Sequence, residues 1–526
     1  MSRTLKNVFT VGAFTALSRV LGLVREMLQS RCIGAGIVQS AFTLAFAIPN
    51  MARKLFGEGA LTAAFVPVFK GEVEAASLEK AGRLARAVMT MVLLMLGAVV
   101  LLAMGGLELV VTFRNELGVR NMERFMLTVR LVKTMLPYMI FICGAAFGMG
   151  VLNALGKFKA SSFMPCLLNL CWIGILGWIA FHPELRLDQR IHRVALAILV
   201  AGALQMAFML WCMARTGVSP RLSFAGWRDE KVRLVWRNIG VAALGAGAIQ
   251  INYLLDQVLA QLAAPWAAGV VGYAERLMDL PLGIIGVAFG TVLLPTFAGL
   301  FARHDLDGAR DALASSVNSL LFIMIPAGVG LVVLAQEVTG VIYQGGQFDA
   351  LATLRVGRAL AVYSLGMGFF GFNKVLVPWF QAQNDMKTPL RVTLQTVGLN
   401  AALNILAVTL LPEEWRHVGL AASTVVCAGV ACGLLLRKAR RLNGTLGLAR
   451  CLAPLARVLV ASAVMAAAIV LLRPVAAAGC GRLGARLGPV VALAALIACG
   501  LLAYGACALV LMRDQIRGLR LRRRRT

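Results

Sequence analysis

Residues 18–69 read SRVLGLVREMLQSRCIGAGIVQSAFTLAFAIPNMARKLFGEGALTAAFVPVF. Most of this stretch is apolar enough to lie in a bilayer, yet Arg19, Arg25, Arg53 and Lys54 sit inside it. Gly34, Gly36, Gly57 and Gly59, with Pro49 and Pro67, interrupt it, so it reads as two broken membrane helices. The rest of the chain agrees. Of 526 residues, 60% are hydrophobic and 14% charged, whereas soluble domains run at about 45–50% and about 25%. Lys and Arg number 52 against 24 Asp and Glu, a net charge of +28. A disordered basic protein would be poor in large apolar residues. A soluble nucleic-acid binder would not dilute its charge in apolar sequence. What remains is an all-α polytopic membrane protein with basic loops on one side.

Apolar segments fall near 8–31, 37–66, 84–110, 128–155, 163–181, 194–213, 234–263, 269–301, 312–334, 355–381, 390–411, 418–436, 455–472 and 490–512. They predict about fourteen spanning helices, of which the first, second, seventh and eighth are charged. Arg3 and Lys6 precede the first run in the manner of a signal peptide, but Arg19 and Arg25 interrupt it, so it is read as an uncleaved helix. An even number of helices puts both termini on one side. Alternate connections with the termini hold roughly 30 Lys and Arg, against about 11 in the others, so that side is cytoplasmic. It includes the Arg437–Arg441 cluster and the tail through Arg525. Segment 335–354, which has no Lys or Arg, lies outside.

Two weak echoes suggest an internal repeat. Pro165 and Pro389 each follow a polar turn and lie 224 residues apart; Pro67 and Pro295 lie 228 apart. The near-equal offsets predict two lobes of about six helices each. The chain then divides into an N-lobe at 1–213, a C-lobe at 214–441 that opens with a basic linker, and a C-terminal helix pair with a basic tail at 442–526.

Charge inside the membrane is the informative anomaly. An arginine at the bilayer centre costs about 2.5–3.5 kcal/mol on insertion scales, so such residues face a bundle interior or watery cavity. Arg19, Arg53 and Arg276 fit that reading; Lys54 and Arg25 could instead snorkel from helix ends. Glu26 adjoins Arg25, and Glu275 and Asp279 partly neutralise Arg276. The group is still net positive and calls for an anion. Arginine is always ionised and its planar fork matches phosphate oxygens, which points to a phosphate or diphosphate ligand. Asp256 could join Asn400 and Asn404 as an oxygen-lined cation site, or all three could be satisfied buried polar groups. Lys133, Asn373 and Lys374 are further polar groups at membrane depth. The eleven cysteines form no C-x-x-C pair and read as small apolar side chains. His182, His192, His304 and His417 fall in predicted loops. No carboxylate pair or His constellation argues for an enzyme, and no metal site is expected.

Three stretches resemble one family: SRVLGLVRE, IGAG and AFAIPNMARKLFGEGALTAAFVPVF at 18–69; YAERLMDLPLGIIGVAFGTVLLPTF at 273–297; and NKVLVPWFQAQNDMKTPLRV at 373–392. The chain is similar to the MurJ (MviN) lipid II flippases of the multidrug/oligosaccharidyl-lipid/polysaccharide exporter superfamily. The resemblance implies about fourteen helices: two six-helix lobes around a central cavity, plus two C-terminal helices forming a lipid groove. It implies export of undecaprenyl-diphosphate-linked disaccharide-pentapeptide. Arg19, Arg25, Arg53 and Arg276 match the cavity arginines that hold the diphosphate; Glu275 and Asp279 match acidic positions beside the last. Ser18 matches a cavity-lining serine. Two positions depart: an acidic residue common in the family is here Ser40, and a basic one sometimes seen before I-P-N is Ala47. Glu26, Ser40 and Lys54 join Ser18, Glu275 and Asp279 as cavity or gating positions.

The expected function is therefore a lipid II flippase working by alternating access from the cytoplasmic to the outer leaflet. It needs no cofactor, with coupling to the membrane potential or a monovalent cation left open. The alternatives are a flippase for another prenyl-diphosphate-linked glycan or a cation-coupled drug exporter, which would carry acidic cavity residues. The expected setting is the bacterial inner membrane, multi-pass, with both termini cytoplasmic. The expected partners are the lipid-linked oligosaccharide, membrane lipids and cell-wall synthesis machinery; the protein is read as a monomer that binds no nucleic acid.

Overall fold

A computed structural model describes residues 3–55, 61–113, 122–224 and 229–511. Gly57, Gly59 and the basic tail from Arg513 lie outside them. The described residues are almost wholly helical and divide into two compact units, residues 1–269 with 345–348, and residues 270–344 with 349–526.

The first unit contains α1 (Arg3–Ile33), α2 (Ile37–Ala52), α3 (Leu61–Ala75), α4 (Leu78–Thr112), α5 (Met122–Met135), α6 (Tyr138–Ala154), α7 (Phe158–Ala180), α8 (Leu187–Ala214) and α9 (Glu230–Ala263). Its centre is α6, which packs on α3, α4 and α8. Phe65 of α3 and Phe147 of α6 meet with ring centroids 4.7 Å apart, both fully buried. Helices α6 and α8 approach closely because Gly202 has no side chain: a Cβ there would lie 2.5 Å from the Tyr138 ring. Pro137, lacking an N–H, separates α5 from α6 within one apolar span. α1 lies along α7, and α9 packs on α2, α3 and α4. Polar caps close the loops: Ser77 accepts from Lys80 N at the start of α4, and Asp229 from Lys231 N at the start of α9.

The second unit contains α10 (Ala267–Ala302, whose first turn falls to the first unit), α11 (Leu306–Val333), α12 (Ala335–Tyr343), α13 (Ala350–Leu365), α14 (Met367–Gln381), α15 (Lys387–Leu410), α16 (Glu413–Asn443), α17 (Leu452–Cys480) and α18 (Gly484–Leu511). Here α11 is central, flanked by α13, α14 and α17. Trp379 is fully buried and takes the rings of Phe297 and Phe301 edge-on at 5.3 and 4.9 Å. Tyr504 docks α18 by donating to Phe322 O at 2.8 Å.

Among the described residues nine helices are long and apolar enough to cross a membrane, or ten if α13 and α14, bent by 46°, form one span. These ten coincide with ten of the segments read from the sequence. The other four segments, 8–31, 37–66, 234–263 and 269–301, fall on α1, on α2 with α3, on α9 and on α10. His192 and His417 lie in α8 and α16 rather than in loops. The buried His417 ring nitrogen Nε2 lies 3.2 Å from Arg355 O. An imidazole near a helix start reads as loop on hydropathy alone.

Candidate functional site

The first unit builds a polar cluster around α1. Arg25 stands about three-quarters of the way along α1, its side chain only 13% exposed. Its guanidinium donates from Nη1 to Asn169 Oδ1 at 2.8 Å and from Nη2 to Glu26 Oε1 at 2.5 Å. Its Cζ lies 4.4 Å from the centroid of the Trp172 ring, a cation–π contact. Asn169 and Trp172 both come from α7, three residues apart and therefore on one face. Asn169 Nδ2 donates in turn to Ser18 O at 3.1 Å, linking Ser18 to Arg25 through one amide. Trp172 Nε1 donates to Gln29 Oε1 at 3.1 Å, and Gln29 Nε2 to Gln39 Oε1 at 3.0 Å. Phe42 and Phe46 of α2 wall the indole edge-on at 5.7 and 5.5 Å. The cluster thus holds the Arg25 guanidinium between a carboxylate, an amide oxygen and an aromatic face.

Arg53 and Lys54 follow α2 in a π-helical turn after the buried Pro49. Proline removes one i−4 hydrogen bond, and π-turns of this kind recur at functional sites. Arg53 Nε donates to Asn50 Oδ1 at 3.1 Å, and Lys54 Nζ stands 5.0 Å from the Tyr253 ring centroid on α9. Arg19 is exposed on α1.

Ser40 is fully buried and joins three elements. Its Oγ accepts from Gly269 N at 2.9 Å, and its carbonyl accepts from Gln261 Nε2 at 2.5 Å. Arg124 of α5 donates to Gln261 O at 2.5 Å, and also to its side-chain oxygen. The position that carries an acid elsewhere in the family resemblance is here a neutral hydroxyl that staples α2 to the end of α9 and the start of α10. Asp256 Oδ2 accepts from Asn252 Nδ2 at 3.2 Å.

In the second unit, Glu275 Oε1 accepts from Tyr363 Oη at 3.2 Å, which ties α10 to α13. Arg276 and Asp279 are exposed on α10. Asn400 and Asn404 are buried on α15, and Asn404 Nδ2 donates to Asn400 Oδ1 at 3.0 Å. The pair satisfies itself in part, and Asp256 belongs to the other unit.

The structure places Arg25, Glu26 and Ser18 in one hydrogen-bonded cluster and Ser40 in another. Sequence reasoning missed Asn169 as an Arg25 ligand, and it missed Trp172, Gln29, Gln39, Arg124 and Gln261. Asn169 carried a signal, being an asparagine in mid-helix; the others are ordinary residues until the tertiary contact is known.

Comparison with known proteins bears on this arrangement. A family model described as lipid II flippase MurJ matches residues 29–481. A probable lipid II flippase MurJ of Rhizobium tropici is 36% identical over 420 residues, covering 79% of this chain and 77% of the relative. The lipid II flippase MurJ of Burkholderia cenocepacia is 30% identical over 425 residues, covering 80% and 81%. Among solved structures, a lipid II flippase MurJ in an inward closed conformation has a similar fold, with TM-score 0.77 at 22% identity over 96% of this chain and 99% of that one. An inward-facing multidrug-resistance MATE transporter has TM-score 0.66 at 15% identity over 81% and 96%.

Proposed function

This chain belongs to the lipid II flippase MurJ family, and on that premise we propose that it flips lipid II, the undecaprenyl-diphosphate-linked peptidoglycan precursor, outward across the bacterial cytoplasmic membrane. It is a bacterial membrane protein of the transporter kind. The proposed cycle is alternating access between an N-lobe (1–213) and a C-lobe (214–441), with 442–526 as an accessory helix pair and tail. Both termini are assigned to the cytoplasm by the Lys/Arg count.

The observation that carries the site assignment is Arg25 held between Glu26, Asn169 and Trp172. A cation preset in this way favours a diphosphate over a neutral or cationic cargo. Arg19, Arg53 and Arg276 complete the proposed diphosphate ligands, with Ser18, Glu26, Ser40, Lys54, Glu275 and Asp279 as cavity or gating groups. The sugar-peptide head would occupy the polar cavity while the prenyl tail stays in lipid. No bond is made or broken in the proposed step; no cofactor is assigned to it, and the protein is proposed to act as a monomer. The drive is assigned to the membrane potential, worth about 2.3 kcal/mol per charge per 100 mV. A monovalent cation at Asp256, Asn400 and Asn404 is the alternative coupling. The cell-wall synthesis machinery is the proposed source and sink of the cargo.

Depletion in the native cell should leave lipid II on the inner leaflet, and wild-type protein should restore outward movement. Arg25→Ala and Arg276→Ala should insert normally yet reduce outer-leaflet lipid II by about tenfold or more, the cost of a charge-assisted bidentate contact. Wild-type flipping by both variants overturns the site assignment. Outward lipid II that persists after depletion overturns the function.

A further inference from the structure

We propose that the cytoplasmic-side end of α16 is a binding site for the phosphate of an anionic membrane phospholipid, held by Arg437, Arg440 and Arg441. The helix ends GLLLRKARRLN, and Gly433, Leu436, Arg437, Arg440 and Arg441 recur at the spacing of one helical face. Together they line a groove of about 450 Å³. That volume suits a small headgroup rather than a buried metabolite of large size. Between them Ala439 faces the opposite way and is fully buried in the unit.

Two features separate this cluster from the ordinary basic rim of a membrane protein. The first is its charge balance. The neighbouring arginines are neutralised: Arg310 pairs with Asp307 at 2.8 Å and donates to Asn443 O, and Arg450 pairs with Asp311 at 2.9 Å. Among the described residues no carboxylate pairs with Arg437, Arg440 or Arg441. Their positive charge is complementary to an oxyanion and exceeds the half-unit of negative charge at a helix C-terminus. The second is shape. A Cβ at Gly433 would meet nothing within 4 Å, so the face above the arginines is open at that position. Val426, two turns earlier on the same side, is 51% exposed. An acyl chain running past Val426 and Gly433 would place its phosphate at the guanidinium forks. Arginine pairs bidentately with phosphate oxygens, and a basic residue near an anionic surface contributes about 1 kcal/mol. Three such residues favour a lipid, whose headgroup is already concentrated at that depth, over free phosphate. The site is independent of the cargo that the protein carries.

The test uses full-length protein in nanodiscs of phosphatidylcholine with graded phosphatidylglycerol, and counts bound lipid by native mass spectrometry after gentle extraction. Wild-type protein should retain phosphatidylglycerol in preference to phosphatidylcholine. Arg437→Gln/Arg440→Gln/Arg441→Gln should lose that preference by about tenfold or more, given roughly fivefold per residue. Lys438→Gln, which removes charge outside the groove, should not. Should the triple variant fail to fold, Gly433→Phe fills that open position with all three arginines intact and should weaken phosphatidylglycerol retention on its own. Retention unchanged in the folded triple variant overturns the proposal. So does Gly433→Phe without effect, or equal displacement of the lipid by inorganic phosphate at matched concentration.

Discussion

A guanidinium inside a membrane helix costs several kcal/mol unless its neighbours take over from water, and Arg25 shows how three of them do so. Glu26 supplies opposite charge, Asn169 a neutral oxygen, and Trp172 a π face. Only the first is visible in the chain, since Glu26 is adjacent. Asn169 lies 144 residues away, and no local pattern announces a tertiary hydrogen bond. The charge in an apolar run was therefore legible while its ligands were not. The arrangement makes Asn169 a positioning residue for Arg25. Asn169→Leu should lower unfolding stability by about 1.5–3 kcal/mol, the worth of a hydrogen bond to a charged group, as read by thermal unfolding in detergent. Asn169→Asp should behave differently: a second carboxylate holds Arg25 more firmly, so stability is kept or raised while lipid II flipping falls. If Asn169→Asp flips at the wild-type rate, Arg25 does not exchange its partners for a diphosphate.

At the scale of elements, hydropathy located ten runs that are long apolar helices in the structure, and its four charged runs fall on α1, on α2 with α3, on α9 and on α10. It also joined helices that the chain breaks: α5 and α6 at Pro137, and α13 and α14 at Gly366. Both breaks sit within apolar runs, where hydropathy gives no sign of a bend. The turn into α15 is a case where local chemistry does read through. Asp385 Oδ1 accepts from Thr388 N at 2.9 Å, across the first turn of the helix. Burial alone would raise its carboxyl, but the Thr388 side chain, the Thr388 and Lys387 amides and the Arg391 charge together hold it below the ordinary value. A depressed folded pKa means that the contribution is complete above the ordinary carboxylate pKa of about 3.9 and drains away as pH falls through the lower folded value. Asp385→Ala should cost about 1 kcal/mol at neutral pH, as for other helix-start oxygens. The gap between variant and wild type should close on acidification below about pH 4. A gap that stays constant across that range would mean that the side chain acts through packing instead. Close packing is tested at Gly202, where Gly202→Val would drive a side chain into the Tyr138 ring. The expected loss is about 1–3 kcal/mol, read as a drop in Tm.

At the scale of the molecule, the proline echoes predicted two lobes with the boundary before α9, whereas in this structure α9 packs in the first unit against α2, α3 and α4. A repeat records how the sequence is built; packing records one conformation of it, so the two need not cut the chain at the same place. If the functional lobes are those of the repeat, α9 must trade its α2 contacts for others during the cycle. The Ser40 staple is then what such a trade has to break: Gly269 N on Ser40 Oγ and Gln261 Nε2 on Ser40 O are hydrogen bonds that an open state would give up. A side-chain atom built at Gly269 lies 3.3 Å from Ser40 Oγ, near enough for two cysteines to join with small adjustment. Ser40→Cys/Gly269→Cys should therefore form a disulfide under mild oxidation, arrest lipid II flipping in that state, and recover when reductant is added. The single Gly269→Cys variant under the same oxidant separates crowding at Gly269 from cross-linking. A fully oxidised double variant that flips at the wild-type rate would show that α2 and the α9–α10 junction stay together throughout transport. The moving boundary would then lie at residue 269, where the packing divides, rather than at residue 213, where the repeat does.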